Sequence, residues 1–214
     1  MKRIFANIEC LDLEVGKPLE GNDDLSDDQK IKKIQHLFGE IMTTLGLDLT
    51  DDSLKDTPLR VAKMYVKESF SGLNAQNKPA ISLFKNSYNY NQMLIEKDIT
   101  LYSHCENHFV PIIRKVSVAY IPRDAVIGLS KINRLVQYYA RRPQVQERLT
   151  VQILEGLQKA LKNQDVAVYI QADHLCVASR GIGDTNSKTT TEQYGGQLLE
   201  NPKLQKKFLN LINQ

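Results

Sequence analysis

Between residues 26 and 45, apolar side chains return at helical spacing. Ile31, Ile34, Leu37, Phe38, Ile41, Met42 and Leu45 share one face. Ser26 with Gln29 reads as a capping box, Asp27 and Asp28 suit the positive start of a helix, and Gly46 can end it. A second helix is expected from Thr57-Pro58, with Thr as cap and Pro at the first helical position, to about Phe70, before Gly72. A polar loop near 74–92 follows, and then the period changes. Residues 98–103 and 112–121 read as strands, the second rich in branched side chains. Ser130 is expected to cap a helix through about Ala140. Another helix follows Pro143, with Val145, Leu149, Leu154, Leu157 and Leu161 turned inward. Val166 to Ala172 and Leu175 to Ser179 return to strand character. Asn201-Pro202 opens a last helix with Leu204, Phe208 and Leu211 on one face. Helices first, then mixed strands and helices, indicate an α+β fold rather than a regular βαβ series. Residues 1–25 lack periodicity and read as an N-terminal extension, 26–73 as a helical region, and 74–214 as the main domain.

Composition narrows the class. At 42% hydrophobic and 25% charged, the chain matches a globular average, and no apolar run approaches the roughly 18 residues that cross a bilayer. Its 28 basic and 25 acidic side chains are intermixed, without the basic stripe of a nucleic-acid binder. The first 20 residues carry Glu9, Asp12 and Glu14 and lack the apolar core of a signal peptide. A cytoplasmic protein, bound to neither membrane nor nucleic acid, is therefore expected.

The three cysteines are Cys10, Cys105 and Cys176, and the four histidines His36, His104, His108 and His174. So sparse a set argues against a disulfide framework and toward free thiols or metal ligands. Most of them fall in two short windows, 104–108 and 174–176, while His36 reads as a surface or boundary residue. Cys105 and His108 are at metal-ligand spacing, but residues three apart on a strand face opposite sides. Both reach one ion only if the chain turns there, so a strand end is expected. His174 and Cys176, two apart, share a face if they lie on a strand. Cys105, His108 and Cys176 form an S₂N set that favours zinc and leaves a fourth position open, the pattern of a catalytic site. Lys131 and Arg134 lie on one helical face beside Ser130, at a helix start suited to polyphosphate. Arg141 and Arg142 add to the basic set, and Arg180 directly follows the His-x-Cys segment. Glu147 can accept two hydrogen bonds from a guanine edge, with Gln146 beside it; read alone, it is an exposed acid at a helix start.

In this order the motifs resemble the GTP cyclohydrolase I family. They are Asp56-Thr57-Pro58 with Arg60 to Val66, Cys105-Glu106-Asn107-His108-Phe109-Val110, Gly128 to Arg134, Arg142 to Thr150, His174-Leu175-Cys176 and Ser187 to Thr191. The resemblance spans roughly residues 30–212. It implies a tunnelling fold (T-fold), an antiparallel sheet backed by helices with an N-terminal helical pair, in which 74–214 is the catalytic domain. It implies a homodecamer with active sites between subunits. It also implies zinc-dependent opening of the GTP imidazole ring at C8, release of formate, and rearrangement to 7,8-dihydroneopterin triphosphate, the first step of tetrahydrofolate and pterin biosynthesis. By position, Cys105, His108 and Cys176 would hold zinc. Glu147 and Gln146 would anchor guanine. Ser130, Lys131, Arg134 and Arg180, with Arg60 as a weaker candidate, would hold the triphosphate. His174 would be an acid/base. A thiol-dependent nitrile reductase on the same fold is the competing reading, opposed by the His-x-Cys segment and by Lys131 and Arg134.

One position departs from the family pattern. Where the family has Cys-Glu-His-His-Phe, this chain has Asn107 in place of the first histidine, a proton-transferring residue in the family. Asparagine hydrogen-bonds but does not exchange protons near neutral pH. The departure implies, as the alternative, a chain that binds zinc and GTP with impaired turnover, unless His104 substitutes.

Overall fold

The computed structural model of the chain describes residues 25–214. The extension expected over 1–25, with Cys10, lies outside the described residues apart from Leu25. Helix α1 runs Asp27–Thr44. Ser26 and Gln29 close the capping box: the Ser26 hydroxyl accepts from the Gln29 N–H, and the Gln29 side chain accepts from the Ser26 N–H. Gly46, at φ 84°, ends the helix in the left-handed region that glycine tolerates. Helix α2 covers Thr57–Met64 and continues as one wide π-helical turn, Tyr65–Ser69. Asp56, not Thr57, is its flanking residue, and it makes no side-chain cap. His36 is exposed, 3.4 Å from Glu40.

The polar stretch near 74–92 is not all loop. Strand β1, Leu83–Lys85, pairs with β4, Ala125–Ile127, as a two-stranded antiparallel sheet. The main sheet holds β2 (Leu94–Cys105), β3 (Pro111–Tyr120), β5 (Pro143–Gln144), β6 (Val166–His174) and β7 (Thr189–Tyr194), in the order β5-β2-β3-β6-β7. Every pairing is antiparallel except the short parallel β2–β5 contact. β2 and β6 outrun their expected bounds, whereas β3 is only shifted by one residue. In β2 the polar residues Glu96, Lys97 and Asp98 interrupt the apolar pattern at a bulge, but pairing with β3 resumes beyond it to Leu94.

Helices α3 (Leu129–Ala140) and α4 (Gln146–Leu161) lie against one face of this sheet. They meet it through alternate strand residues: Ile99, Leu101 and Cys105 of β2, Val116 and Val118 of β3, and Val168 and Ile170 of β6, packed on Ile132, Leu135, Val136, Leu149, Ile153 and Leu157. The opposite face is covered at one end by α6 (Gln197–Glu200) and α7 (Pro202–Ile212): Phe208 of α7 packs with Leu198 of α6 on Ala119 and Ala167. Asn201 caps α7 as expected, its side chain accepting from Lys203 N–H.

Two expectations are corrected here. Gly128, not Ser130, precedes α3, and Ser130 lies inside its first turn. Leu175 to Ser179 is not a strand: Leu175–Ala178 form a short helix, α5, directly after β6. Its sequence alternates enough for a strand, but β3, the neighbour of β6, begins only at Pro111, and its pairing with β6 ends with Ile112 opposite His174. Beyond that point β6 has no neighbouring strand to continue against. Among the described residues, no helix is long and apolar enough to cross a membrane.

Candidate metal centre

The turn predicted between Cys105 and His108 is the tight connection from β2 to β3. Cys105 N–H donates to Val110 O, and Phe109 N–H donates back to Cys105 O, both at 2.8 Å. Phe109 turns the chain at φ 55°. The turn is also tied to the start of α4. Glu106 N–H donates to Gln144 O at 3.1 Å, and its carboxylate accepts from Arg148 Nη2 at 2.5 Å. The Glu106–Arg148 pair was not singled out from the sequence, although both residues lie inside quoted motifs.

Folding the turn back brings His108 Nδ1 to 3.7 Å from Cys105 Sγ. Cys176 joins them from α5, because β6 runs beside β3 and releases the chain next to the turn. One donor atom from each of Cys105, His108 and Cys176 lies within 4.8 Å of the others. Cys105 is buried and His108 exposed, so the group is open on one side. Burial pushes the Cys176 thiol up, Cys105 beside it adds to that, and the Arg180 guanidinium acts in the opposite sense. Two thiols and an imidazole at this separation fit a borderline-soft divalent ion, whose charge would reverse that resistance to ionisation. The three residues could hold a metal ion.

His174 ends β6 and borders the group. Its ring Nε2 lies 2.8 Å from Gln146 Oε1. Burial holds its pKa below the usual histidine value, against the pull of Glu147 and then Asp173. Glu147, in the first turn of α4, is exposed. Arg180 reaches the group as expected, its Nη1 2.8 Å from His108 Nε2. Gln146 stands otherwise than expected: its side chain is 2% exposed and engaged inside the fold rather than offered to a ligand. Asn107 is exposed in the turn, beside His108. His104 lies on the other face of β2 from Cys105, its ring edge-on to Phe70 with centroids 5.1 Å apart, and burial lowers its pKa.

Apart from Arg180, the basic set does not converge on this group within one chain. Ser130 and Arg134 are exposed and Lys131 half-buried on α3. Arg134 lines a separate cleft of about 350 Å³ with Ser71, Asn77, Tyr138 and Arg141. Arg60 pairs with Asp56 at 3.6 Å on α2. Arg142 stacks its guanidinium over Tyr138, 4.5 Å from the ring centroid. Among the described residues, no hydrogen bond or ion pair joins Ser130, Lys131, Arg134 or Arg60 to the Cys105 group.

The chain is similar to known proteins over most of its length. The family model described as GTP cyclohydrolase I matches residues 34–213. The chain is 56% identical over 189 residues to a GTP cyclohydrolase 1 of Flavobacterium johnsoniae, covering 88% of this chain and 84% of that protein. It is 54% identical over 181 residues to the GTP cyclohydrolase 1 of Mannheimia succiniciproducens, covering 85% and 83%. A third relative, the GTP cyclohydrolase 1 of Vibrio vulnificus, is 54% identical over 185 residues, covering 86% and 85%.

Proposed function

The chain belongs to the GTP cyclohydrolase I family, and on that premise we propose that it hydrolytically opens the imidazole ring of GTP at C8. Formate leaves, the ribose rearranges, and ring closure gives 7,8-dihydroneopterin triphosphate, the first step of tetrahydrofolate and pterin biosynthesis. The observation that carries this reading is the convergence of Cys105, His108 and Cys176, from segments about 70 residues apart, beside His174. The S₂N donor set supports zinc at the centre. When bound, zinc supplies Lewis acidity that activates water toward an electrophilic carbon.

The other steps belong to the chain's own residues. Glu147, which makes no hydrogen bond or ion pair among the described residues, accepts from the guanine N1–H and exocyclic amine. Ser130, Lys131 and Arg134, at the N-terminal end of α3, hold the triphosphate together with Arg180, and Arg60 is the weaker candidate. His174 takes and returns protons as the ring C–N bond opens and the ribose rearranges. The separation of Lys131 and Arg134 from the Cys105 group supports a site shared between subunits. Exposed apolar side chains on and directly after α1, Leu37 at 48%, Ile41 at 52% and Leu45 at 73%, support an assembly, for which the family resemblance indicates a homodecamer. The antiparallel sheet backed by α3 and α4 supports a tunnelling fold in the catalytic region 74–214, with 26–73 as its helical partner. Location in the cytoplasm completes the reading.

Asn107 supports a second reading, a chain that binds zinc and GTP but turns over slowly. His104 is packed on Phe70 and does not take over its place. Incubation of the zinc-loaded chain with GTP tests the reaction. Formate and a fluorescent pterin triphosphate of the right mass are expected. GTP bound but left intact selects the second reading, and no GTP binding overturns both.

A further inference from the structure

Both polar atoms of the Gln146 amide meet partners, and two of those partners are backbone carbonyls, whose role is fixed. Nε2 faces Ile170 O at 3.2 Å, Thr189 O at 3.1 Å and Thr191 Oγ1 at 3.0 Å. The two backbone carbonyls only accept, so the amino end of the amide must face them and the carbonyl end must face His174. An amide oxygen also only accepts, so His174 donates to it through Nε2–H. In the neutral ring Nδ1 then holds the free lone pair.

A loop of hydroxyls keeps the amide in this orientation. Thr150 Oγ1 donates to Gln146 O at 2.8 Å. That uses its one hydrogen, so in the 2.7 Å Thr150–Thr191 contact Thr191 is the donor. Thr191 is in turn an acceptor for Gln146 Nε2. The chain of bonds starts and ends on Gln146, and the carbonyls of Ile170 in β6 and Thr189 in β7 brace the same amide from outside the loop. Gln146 and Thr150 are both buried, at 2% exposure each, so breaking the loop would strand polar groups away from water.

We propose that Gln146 is a positioning residue and not a guanine ligand: clamped by strand carbonyls and by the Thr150–Thr191 pair, it holds the His174 ring in one orientation with its hydrogen on Nε2. Of the three side chains in the loop, Thr191 is the least buried. Its effect on the reaction rests on the proton-transfer role proposed for His174, whereas the ring state itself does not depend on that role.

Two measurements test the proposal separately from the reaction. The first is nitrogen NMR of the zinc-loaded chain labelled at histidine, with the His174 signal identified by its loss in His174→Ala. The Nε2–H form is expected in the unaltered chain, and a mixture of forms in Gln146→Ala. An Nδ1–H ring in the unaltered chain, or an unchanged ring state in Gln146→Ala, overturns the proposal whether or not GTP is turned over. The second is kinetic. Misplacing a general acid–base group forfeits part of its typical 10²–10⁴-fold contribution, so Thr191→Val and Gln146→Ala should each lower kcat by about tenfold or more. KM for GTP should stay within about twofold, and Thr191→Ser should restore kcat. The double variant should be no slower than Gln146→Ala alone, since both act through one network. A Gln146→Ala that raises KM and spares kcat makes Gln146 a substrate contact and overturns the proposal. If Gln146→Ala does not fold, Thr191→Val and its serine rescue carry both measurements.

Discussion

Arg180 donates from Nη1 to Nε2 of His108 at 2.8 Å, while the other nitrogen of that ring faces Cys105 Sγ. A guanidinium keeps its protons, so Nε2 must be the acceptor. A neutral imidazole that gives its Cys105-facing nitrogen to a metal carries its hydrogen on Nε2, where it would confront the Arg180 donor. A metal held through that nitrogen would therefore cost the Arg180–His108 bond, which would leave Arg180 free to meet an anion.

Arg180→Ala should accordingly bind zinc at least as tightly as the parent chain in a chelator competition. It should also weaken GTP by about 1.5–3 kcal/mol, the worth of hydrogen bonds to a charged group, while guanosine binding changes little. Equal losses for GTP and guanosine would argue against a phosphate role.

Cys176→Ala removes one of three donors at an open centre, so zinc content should fall from about one per chain to a small fraction. Elemental analysis after dialysis reads this directly, and full occupancy in the variant would sink the ligand assignment.

Glu147→Ala should weaken GTP by about 1–3 kcal/mol, because two guanine donors lose their acceptor. Discrimination against ATP should fall with it. Titration with both nucleotides checks the pair of effects; a loss of affinity shared equally by GTP and ATP would place Glu147 away from the base.

Asn107→His restores a proton-exchanging group in the turn beside His108. Turnover should rise by about tenfold or more, within the range of general acid–base groups, with GTP affinity little changed. His104→Ala should cost stability rather than turnover, since that ring packs against Phe70 on the opposite face of β2. If the parent already matches Asn107→His in rate, position 107 is a bystander.

Asp165 anchors the far end of the sheet. Its buried carboxylate accepts from Gln197 N–H at 2.8 Å and from Arg123 Nη2 at 2.9 Å. Burial alone would raise its pKa, but these bonds hold it below the ordinary value of 3.8. A depressed folded pKa stabilises above the unfolded pKa, and that stability is lost as pH falls through the folded value. Asp165→Ala should therefore cost about 1.5–3 kcal/mol at neutral pH. The gap from the parent, followed by chemical denaturation, should narrow below about pH 3.9. A gap independent of pH would mean that the effect is packing and not charge.

The helices were legible because their signals are local. Ser26 and Gln29 cap α1 through bonds only three residues apart, and Asn201-Pro202 starts α7 in the same way. The turn at 105–108 was legible because the two ligands could not otherwise face one ion. Ser130 misled as a cap because Gly128, which has no side chain to announce itself, holds that position. β1 and β4 were missed because three-residue strands show no period; their partnership spans about 40 residues.

The sequence by itself determined the chemistry available: which thiols and imidazoles exist, their spacing, the family they resemble, and the asparagine at 107. Only the tertiary structure decided what each side chain is free to do. Gln146 and Glu147 are neighbours at the start of α4, yet one is sealed against β6 and β7 and the other faces outward. Successive residues on a helix point about 100° apart, so the placement of the sheet alone selects which of them is buried. His174 and Cys176 were paired by strand alternation, but it is the end of the β3–β6 ladder that turns the chain into α5 and carries Cys176 to Cys105. Alternation governs a strand only while a neighbouring strand satisfies its backbone, and that neighbour is distant in sequence.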